Sequence, residues 1–230
     1  IAESLRGPFK PNEYGDVVLP FTVLRRMEAV LRETKPQVLE EHARIKDSNL
    51  PAHLLLPQQS GHSFYNTSPF DLNRLAADAE GLRQNLSAYI ESFSPNVRDI
   101  FDRFDFEKTL DKLDDKNKLF AVVQKFAAAD LHPKRVSNIK MGQIFEELIR
   151  KFNENSNETA GDHFTPREVI KLMVDLLFAL DTDALRTPGT TRSIYDPTAG
   201  TGGMLSVADE HLRAMNEHID LNLYGQDYND

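Results

Sequence analysis

Hydrophobic positions in the first two thirds of the chain recur at the spacing of α-helices. In residues 13–31 they lie mostly three or four positions apart, which predicts a helix with one buried face; they are Val17, Val18, Phe21, Leu24, Met27 and Leu31. Pro20 lies inside this run, so we expect a kink or a break there. A second set, interpreted as core positions, comprises Met141, Ile144, Phe145, Leu148, Ile149 and Phe152. The pattern predicts a mainly α amino-terminal domain over residues 1–152.

The segments between these helices carry turn and cap signals. Residues 49–70 contain three prolines and a glycine, and we interpret them as a loop that also packs apolar side chains. Ser94 and Pro95 have the residue types of an N-cap and a first helical position. The mixed charges of residues 102–118 are typical of a solvated helix face and its connection. Residues 153–162 are polar and lack large apolar side chains, which predicts a linker between two domains.

Another helical pattern follows this linker, in residues 163–180. We expect Thr165 to be the N-cap, Pro166 the first helical residue and Glu168 the partner in a capping box. The apolar positions expected to face a core are Val169, Ile170, Met173, Val174, Leu177 and Leu180. Helix capping explains Thr165, Pro166 and Glu168 without any ligand. For Phe164 it offers only the role of a hydrophobic staple.

The last part of the chain predicts a strand, a helix and a second strand. The strands are expected at residues 193–197 and 220–227, with the helix over residues 202–219 between them. The helix positions expected to face inward are Met204, Leu205, Ala208, Leu212 and Met215. This order is that of a βαβ unit, so the two strands should pair in parallel.

Three glycines within four positions, Gly200, Gly202 and Gly203, follow the first predicted strand just after Asp196. In open α/β sheets, ligands bind at the carboxyl ends of strands, and the N–H groups of a following helix can face them. Asp227 ends the next predicted strand. In nucleotide-binding folds an acid at this position accepts hydrogen bonds from the ribose hydroxyls. The pattern suggests an adenosine-bearing cofactor; a tight strand-to-helix turn without a ligand is the alternative.

Composition and missing motifs narrow the classes of function. The chain has no cysteine, which excludes disulfides and thiolate metal sites. It contains no phosphate-binding P-loop, no H-E-x-x-H zinc motif and no G-x-S-x-G nucleophile elbow. A formal net charge of -9 does not favour a purely electrostatic grip on DNA or on an anionic membrane. No apolar run approaches the about 20 residues of a membrane span, and no signal peptide is apparent, so we expect a cytoplasmic protein without membrane contact.

Two motifs together resemble a known family. The sequence GDHFTPREVIKLM is followed by DPTAGTGG, and this pairing is similar to the adenine-N6 DNA methyltransferases of the gamma order of motifs. More narrowly, SLRGPFKPNEYGDVVLPFTVLRRMEAVL resembles the helical amino-terminal domain of the modification subunit of type I restriction-modification systems. The resemblance covers nearly the whole chain.

The resemblance implies S-adenosylmethionine as cofactor and a Rossmann-like methyltransferase domain, of which residues 163–230 are the first part. Phe164, Thr165 and Pro166 match the segment that contacts the methionine end of the cofactor. The turn that contacts its amino acid and sugar is matched by Asp196, Gly200, Thr201 and Gly202, and the acid that accepts the ribose hydroxyls by Asp227. An acidic, glycine-lined pocket also suits a cationic sulfonium ligand.

The resemblance further implies methyl transfer to adenine N6 in DNA, with the target sequence chosen by a separate specificity subunit. A restriction subunit and a second modification subunit are the other implied partners. The family's catalytic motif, Asn or Asp followed by Pro-Pro and an aromatic residue, holds an adenine that has been extruded from the duplex. No Pro-Pro pair occurs in these 230 residues. We therefore expect no catalytic residue here, an incomplete methyltransferase domain, and no activity from these residues alone.

Two alternatives stay open. The first is a non-catalytic, truncated module that binds only the cofactor or partner subunits, as the missing Pro-Pro motif suggests. The second is an NAD-dependent oxidoreductase, although nothing supplies the third glycine of the G-x-G-x-x-G pattern that would begin at Gly200 and Gly202.

Overall fold

The computed structural model describes residues 2–48, 50–155, 165–200 and 202–228. By their packing these residues form two compact units, Ile1–Ser137 and Asn138–Asp230. The helix Asn138–Asn155 groups with the second unit, whereas the sequence pattern assigns most of it to the amino-terminal domain. Of the predicted linker 153–162, the first three residues end this helix and the rest lie outside the described residues.

The regular elements described in the first unit are almost all α-helices, as predicted. They are α1 (Ala2–Leu5), α2 (Tyr14–Leu31), α3 (Lys35–Ile45), α4 (Ala52–Ser60), α5 (Leu72–Leu75), α6 (Leu82–Glu91), α7 (Pro95–Arg103), α8 (Phe106–Asp115) and α9 (Leu119–Ala127), with a 3-10 helix at Pro11–Glu13. Among the helices that the structure describes in either unit, none combines the length and the apolar character that crossing a bilayer requires.

Helix α2 lies at the centre of the first unit's core. The ring of Phe21 stacks on Phe126, with ring centroids 5.1 Å apart, and meets Phe106 edge-on at 5.0 Å. The predicted core positions of α2 are all buried except Met27, which is half-buried. The helix continues through Pro20 without a break. Burial of its neighbours outweighs the single backbone hydrogen bond that a proline removes.

The prediction of a loop over residues 49–70 is wrong for its first half, which contains helix α4. Pro51 directly precedes this helix, and Gly61 ends it in the left-handed conformation, with φ of 68°. The proline and the glycine therefore mark the two ends of a helix, where these residue types are common, instead of a loop. Only Pro57 lies in the helix interior.

Helices α7 and α8 agree better with the sequence pattern. Helix α7 begins at Pro95 with Ser94 as N-cap residue, although the Ser94 hydroxyl caps no helical N–H and instead accepts from the Tyr65 backbone N–H at 3.3 Å. In α8 the side chains of Phe106, Leu110 and Leu113 are buried. Most of its charged side chains point to solvent, as expected for a solvated helix face.

A buried polar cluster joins α2 to the rest of the first unit. The carboxylate of Glu28 forms an ion pair with Arg25, and the two side chains are 7% and 5% exposed. Its Oε2 accepts the Leu72 backbone N–H at 2.6 Å and the Tyr89 hydroxyl at 3.2 Å. The guanidinium of Arg26 donates to the carbonyl oxygen of Val136 at 2.7 Å. Buried charges are tolerated when paired and hydrogen-bonded in this way.

Replacing Tyr89 by phenylalanine tests one bond of this cluster. Complete burial, with the Glu28 charge beside it, holds the pKa of the Tyr89 hydroxyl well above its ordinary value, so the group stays a donor. We expect Tyr89→Phe to lower the free energy of unfolding by about 1 kcal/mol, measured by urea denaturation. Tyr65→Phe, a change at another buried tyrosine away from Glu28, should cost less. An equal loss in both variants would contradict a specific role for the bond.

The second unit combines helices with a small parallel sheet. Its elements are α10 (Asn138–Asn155), α11 (Arg167–Phe178), α12 (Thr182–Leu185), β1 (Thr191–Asp196), α13 (Gly203–Met215) and β2 (Asp220–Gly225). Strands β1 and β2 pair in parallel, with Thr191 opposite Asp220 and Asp196 opposite Gly225. Because α13 connects them, the predicted βαβ unit is confirmed.

The core of the second unit lies between α11, α13 and the sheet. Ile170 and Val174 of α11 pack against Val207 and Ala208 of α13, with Ile194 of β1 beside them. The other positions predicted to face a core are exposed, namely Val169, Met173 and Leu177 of α11 and Leu180 just after it. In α13, Ala208 and Leu212 are buried as predicted, whereas Met204, Leu205 and Met215 are half-buried. Helix α11 thus uses only a narrow stripe of its apolar surface.

Candidate functional site

The turn between β1 and α13 is held by its own backbone and by Asp196. The Asp196 Oδ1 accepts the Thr198 backbone N–H at 3.0 Å, and the Gly202 N–H donates to the Ala199 carbonyl oxygen at 2.7 Å. Gly200 has φ of 50° and Gly202 has φ of 76°, in the left-handed region that favours glycine. Gly202 is also the N-cap residue of α13. These two glycines are therefore needed for the path of the backbone.

The end of β2 joins this turn through three hydrogen bonds. The Gln226 N–H donates to the Asp196 carbonyl oxygen, and the Ala199 N–H donates to the Gln226 carbonyl oxygen, both at 2.8 Å. The Asp227 Oδ2 accepts the Gly200 backbone N–H, also at 2.8 Å. Asp196, Gly200 and Asp227, which the sequence pattern grouped as one site, thus lie in one hydrogen-bonded corner.

The surface of this corner is open. A methyl group built on Gly200 or on Gly202 would meet no atom of the described structure within 4 Å. Asp227 is exposed and Asp196 is half-buried. The corner therefore combines two carboxylates with two glycines that have open space beside them. Its carboxylates can accept hydrogen bonds from hydroxyl or ammonium groups of a ligand. Within the residues that the structure covers, no cluster of His, Asp and Glu could hold a metal ion.

Other glycines of the corner are needed for packing. A Cβ atom on Gly203 would lie 3.1 Å from Ile170 Cδ1, and one on Gly225 would lie 3.1 Å from Ala199 Cβ. Gly225 was not predicted from the sequence to have a role. The structure places it opposite Asp196 in the parallel register, which the sequence does not show.

The segment before α11 is only partly described. Phe164 and Thr201 lie outside the described residues. Thr165 and Pro166 are exposed, and Pro166, not Thr165, is the N-cap residue of a helix that begins at Arg167. The predicted capping box is wrong, because the extended Pro166, with ψ of 136°, presents its carbonyl oxygen to the first helical turn and no side chain caps it.

Arg167 connects three helices of the second unit. Its Nη2 lies 2.6 Å from Glu210 Oε2 on α13, and its Nη1 lies 3.7 Å from Glu146 Oε1 on α10. Its side chain is 15% exposed. The sequence predicts no role for Arg167 or Glu146, because a local pattern does not show which distant helix a charged side chain contacts.

Two family models match this chain. Residues 1–126 match the family model of the HsdM N-terminal domain, and residues 137–230 match that of the N-6 DNA methylase. The methylase subunit of the type I restriction enzyme MjaIX from Methanocaldococcus jannaschii is 24% identical over 99% of this chain and 41% of its own length. The methylase subunit of EcoKI from Escherichia coli is 35% identical over 34% of this chain and 13% of its own length.

Together the two family models cover most of the chain, the HsdM N-terminal domain first and the N-6 DNA methylase second. The chain spans less than half the length of these relatives. It belongs to the family of type I restriction enzyme methylase subunits, and it corresponds to an amino-terminal part of such a subunit.

Proposed function

We propose that this chain supplies the S-adenosylmethionine site of a DNA methyltransferase that modifies adenine N6. The observation that carries the proposal is the meeting of Asp227 with the glycine turn at Gly200, in a chain whose second part matches the N-6 DNA methylase model. Because β1 and β2 pair in parallel, Asp227 and the glycine turn both lie at the carboxyl edge of the sheet, where ligands of open α/β sheets bind. The fold proposed for the complete domain is Rossmann-like.

The residues of the corner suit this cofactor. The Asp227 carboxylate can accept hydrogen bonds from the ribose hydroxyls, at the cost of its bond to the Gly200 N–H. The open space beside Gly200 and beside Gly202 leaves room for the amino acid and sugar. We assign Phe164, Thr165, Pro166 and Thr201 to the same site through their match to the family motifs. When bound, S-adenosylmethionine supplies the methyl group.

The chemical step needs groups beyond these residues. No Asn-Pro-Pro or Asp-Pro-Pro sequence occurs in the chain, so we assign it no catalytic residue and expect no methyl transfer from it alone. We propose DNA, a specificity subunit, a restriction subunit and a second modification subunit as partners of the complete protein, in the cytoplasm. The helical domain over residues 1–152 is proposed to contact them.

The non-catalytic alternative keeps a specific motivation, the missing Pro-Pro motif. An assay of the complete modification subunit together with its specificity subunit distinguishes this alternative from the methyltransferase. Methyl transfer is measured as N6-methyladenine in digested DNA, and cofactor binding as heat released by S-adenosylhomocysteine, with NAD as the competing ligand. Binding without methylation would favour the non-catalytic module, and binding of NAD alone would favour the oxidoreductase.

Asp227→Asn tests the assigned acid in this assay. We expect the Kd for S-adenosylhomocysteine to rise about tenfold, because the variant loses charge-assisted hydrogen bonds to the ribose. Asp220→Asn is the matched control, since Asp220 is an exposed acid at the amino end of β2, whereas Asp227 follows its carboxyl end. Equal Kd values for the two variants would show that Asp227 does not contact the cofactor.

A further inference from the structure

The first residue of α11 is an arginine in an electrostatically unfavourable place. The amino end of a helix carries a partial positive charge, so a cation there costs free energy unless acids compensate it. Arg167 occupies this position and is largely buried, which adds a desolvation cost. An exposed alanine or glutamate would start this helix better. The start of α11 therefore does not explain why an arginine occupies position 167.

The compensation comes from two other helices. Glu210 of α13 accepts a hydrogen bond from Arg167 at 2.6 Å, and Glu146 of α10 lies 3.7 Å from the other guanidinium nitrogen. A planar guanidinium can engage two carboxylates in fixed directions, which a lysine ammonium cannot do. Arg167 thus fixes the start of α11 against α10 and α13 at the same time.

Both ends of this bridge lie next to proposed cofactor residues. Arg167 directly follows Pro166 in the chain. Helix α13 begins at Gly203, immediately after Gly202 of the turn, and the Glu146 carboxylate lies 3.5 Å from the position of a Cβ atom on Gly203. The bridge therefore connects the segment before α11 to the glycine turn.

One hydrogen bond of this bridge is not formed. The Nη1 atom of Arg167 is buried and donates no hydrogen bond to any of the described residues, because its distance to Glu146 Oε1 is 3.7 Å. An ordinary hydrogen bond between these groups would be about 2.9 Å long. The bond would form if this distance shortened by about 0.8 Å, the difference between 3.7 Å and an ordinary hydrogen bond.

We propose that Arg167 is a positioning residue for S-adenosylmethionine, which holds the Thr165–Pro166 segment and the glycine turn in register through Glu210 and Glu146. This inference rests on the proposed function. It assigns Arg167 no contact with the methyl group or with the adenine. Its loss should weaken cofactor binding while the transfer step itself is preserved.

The test uses the complete modification subunit with its specificity subunit. We expect Arg167→Lys and Arg167→Met to raise the Kd for S-adenosylhomocysteine and the KM for S-adenosylmethionine about tenfold, with kcat changed by less than about twofold. Arg213→Ala is the control, because it removes an exposed ion pair with Asp209 inside α13. The control should leave all three constants unchanged.

A double variant separates positioning from general stability. If Arg167 acts through Glu210, Arg167→Met and Glu210→Gln together should raise the Kd no more than Arg167→Met alone. Additive effects of the two changes would overturn the inference, as would an unchanged Kd in Arg167→Lys, even if Arg167→Met fails to fold. A lower kcat at constant KM would also overturn it. If the unsubstituted protein binds no S-adenosylhomocysteine, the proposed function itself fails.

Discussion

Replacing Glu28 by alanine is expected to destabilise the first unit by about 3–5 kcal/mol, a large part of the stability of a typical domain. The change leaves the Arg25 guanidinium buried without its carboxylate. It also removes the acceptor of the Leu72 N–H and of the Tyr89 hydroxyl. Each of these buried donors then carries a desolvation cost that nothing offsets.

The measurement is urea denaturation of the chain, followed by far-ultraviolet circular dichroism. Glu3→Ala is the matched control, because Glu3 also pairs with an arginine three positions away, but both side chains of that pair are 75% exposed. Exposed pairs contribute at most about 1 kcal/mol, so the control should unfold at nearly the urea concentration of the unsubstituted chain. A Glu28→Ala variant as stable as the control would show that the cluster contributes little.

The sequence pattern predicts α2 well but does not reveal this cluster. Its apolar stripe is regular because each member faces the same core, and periodicity is a local property. The positions of Arg25 and Glu28 within the helix look like ordinary surface charges. Their burial depends on Leu72 and Tyr89, which are more than forty residues away in the chain. Contacts at that separation follow from tertiary packing.

The candidate site shows the same division between local and distant information. The βαβ unit and the turn at Gly200 could be predicted, because strand, turn and helix signals follow one another within 35 residues of sequence, 193–227. More positions of α11 were predicted to be buried than the structure shows, because burial depends on which elements a helix packs against. Here only Ile170 and Val174 meet α13 and β1. The predicted start of α11 is one residue too early, because Thr165 and Pro166 fit a capping motif that the backbone does not form.

Replacing Gly202 by alanine is expected to lower methylation by the complete protein about 100-fold, mainly through weaker cofactor binding. The residue has φ of 76°, so any L side chain there strains the backbone at the start of α13. The methyl group meets no protein atom within 4 Å and instead projects into the open space beside the turn. On the proposed function, that space belongs to S-adenosylmethionine.

Gly189→Ala separates backbone strain from loss of the site. Gly189 has nearly the same φ, 75°, and equally open surroundings, but it precedes β1 at the end of the strand opposite to the glycine turn. The free energy of unfolding should therefore fall by about 1–2 kcal/mol in both variants. Only Gly202→Ala should raise the Kd for S-adenosylhomocysteine. If the two variants lose methylation equally, strain alone explains the effect, and the turn at Gly202 is not a cofactor contact.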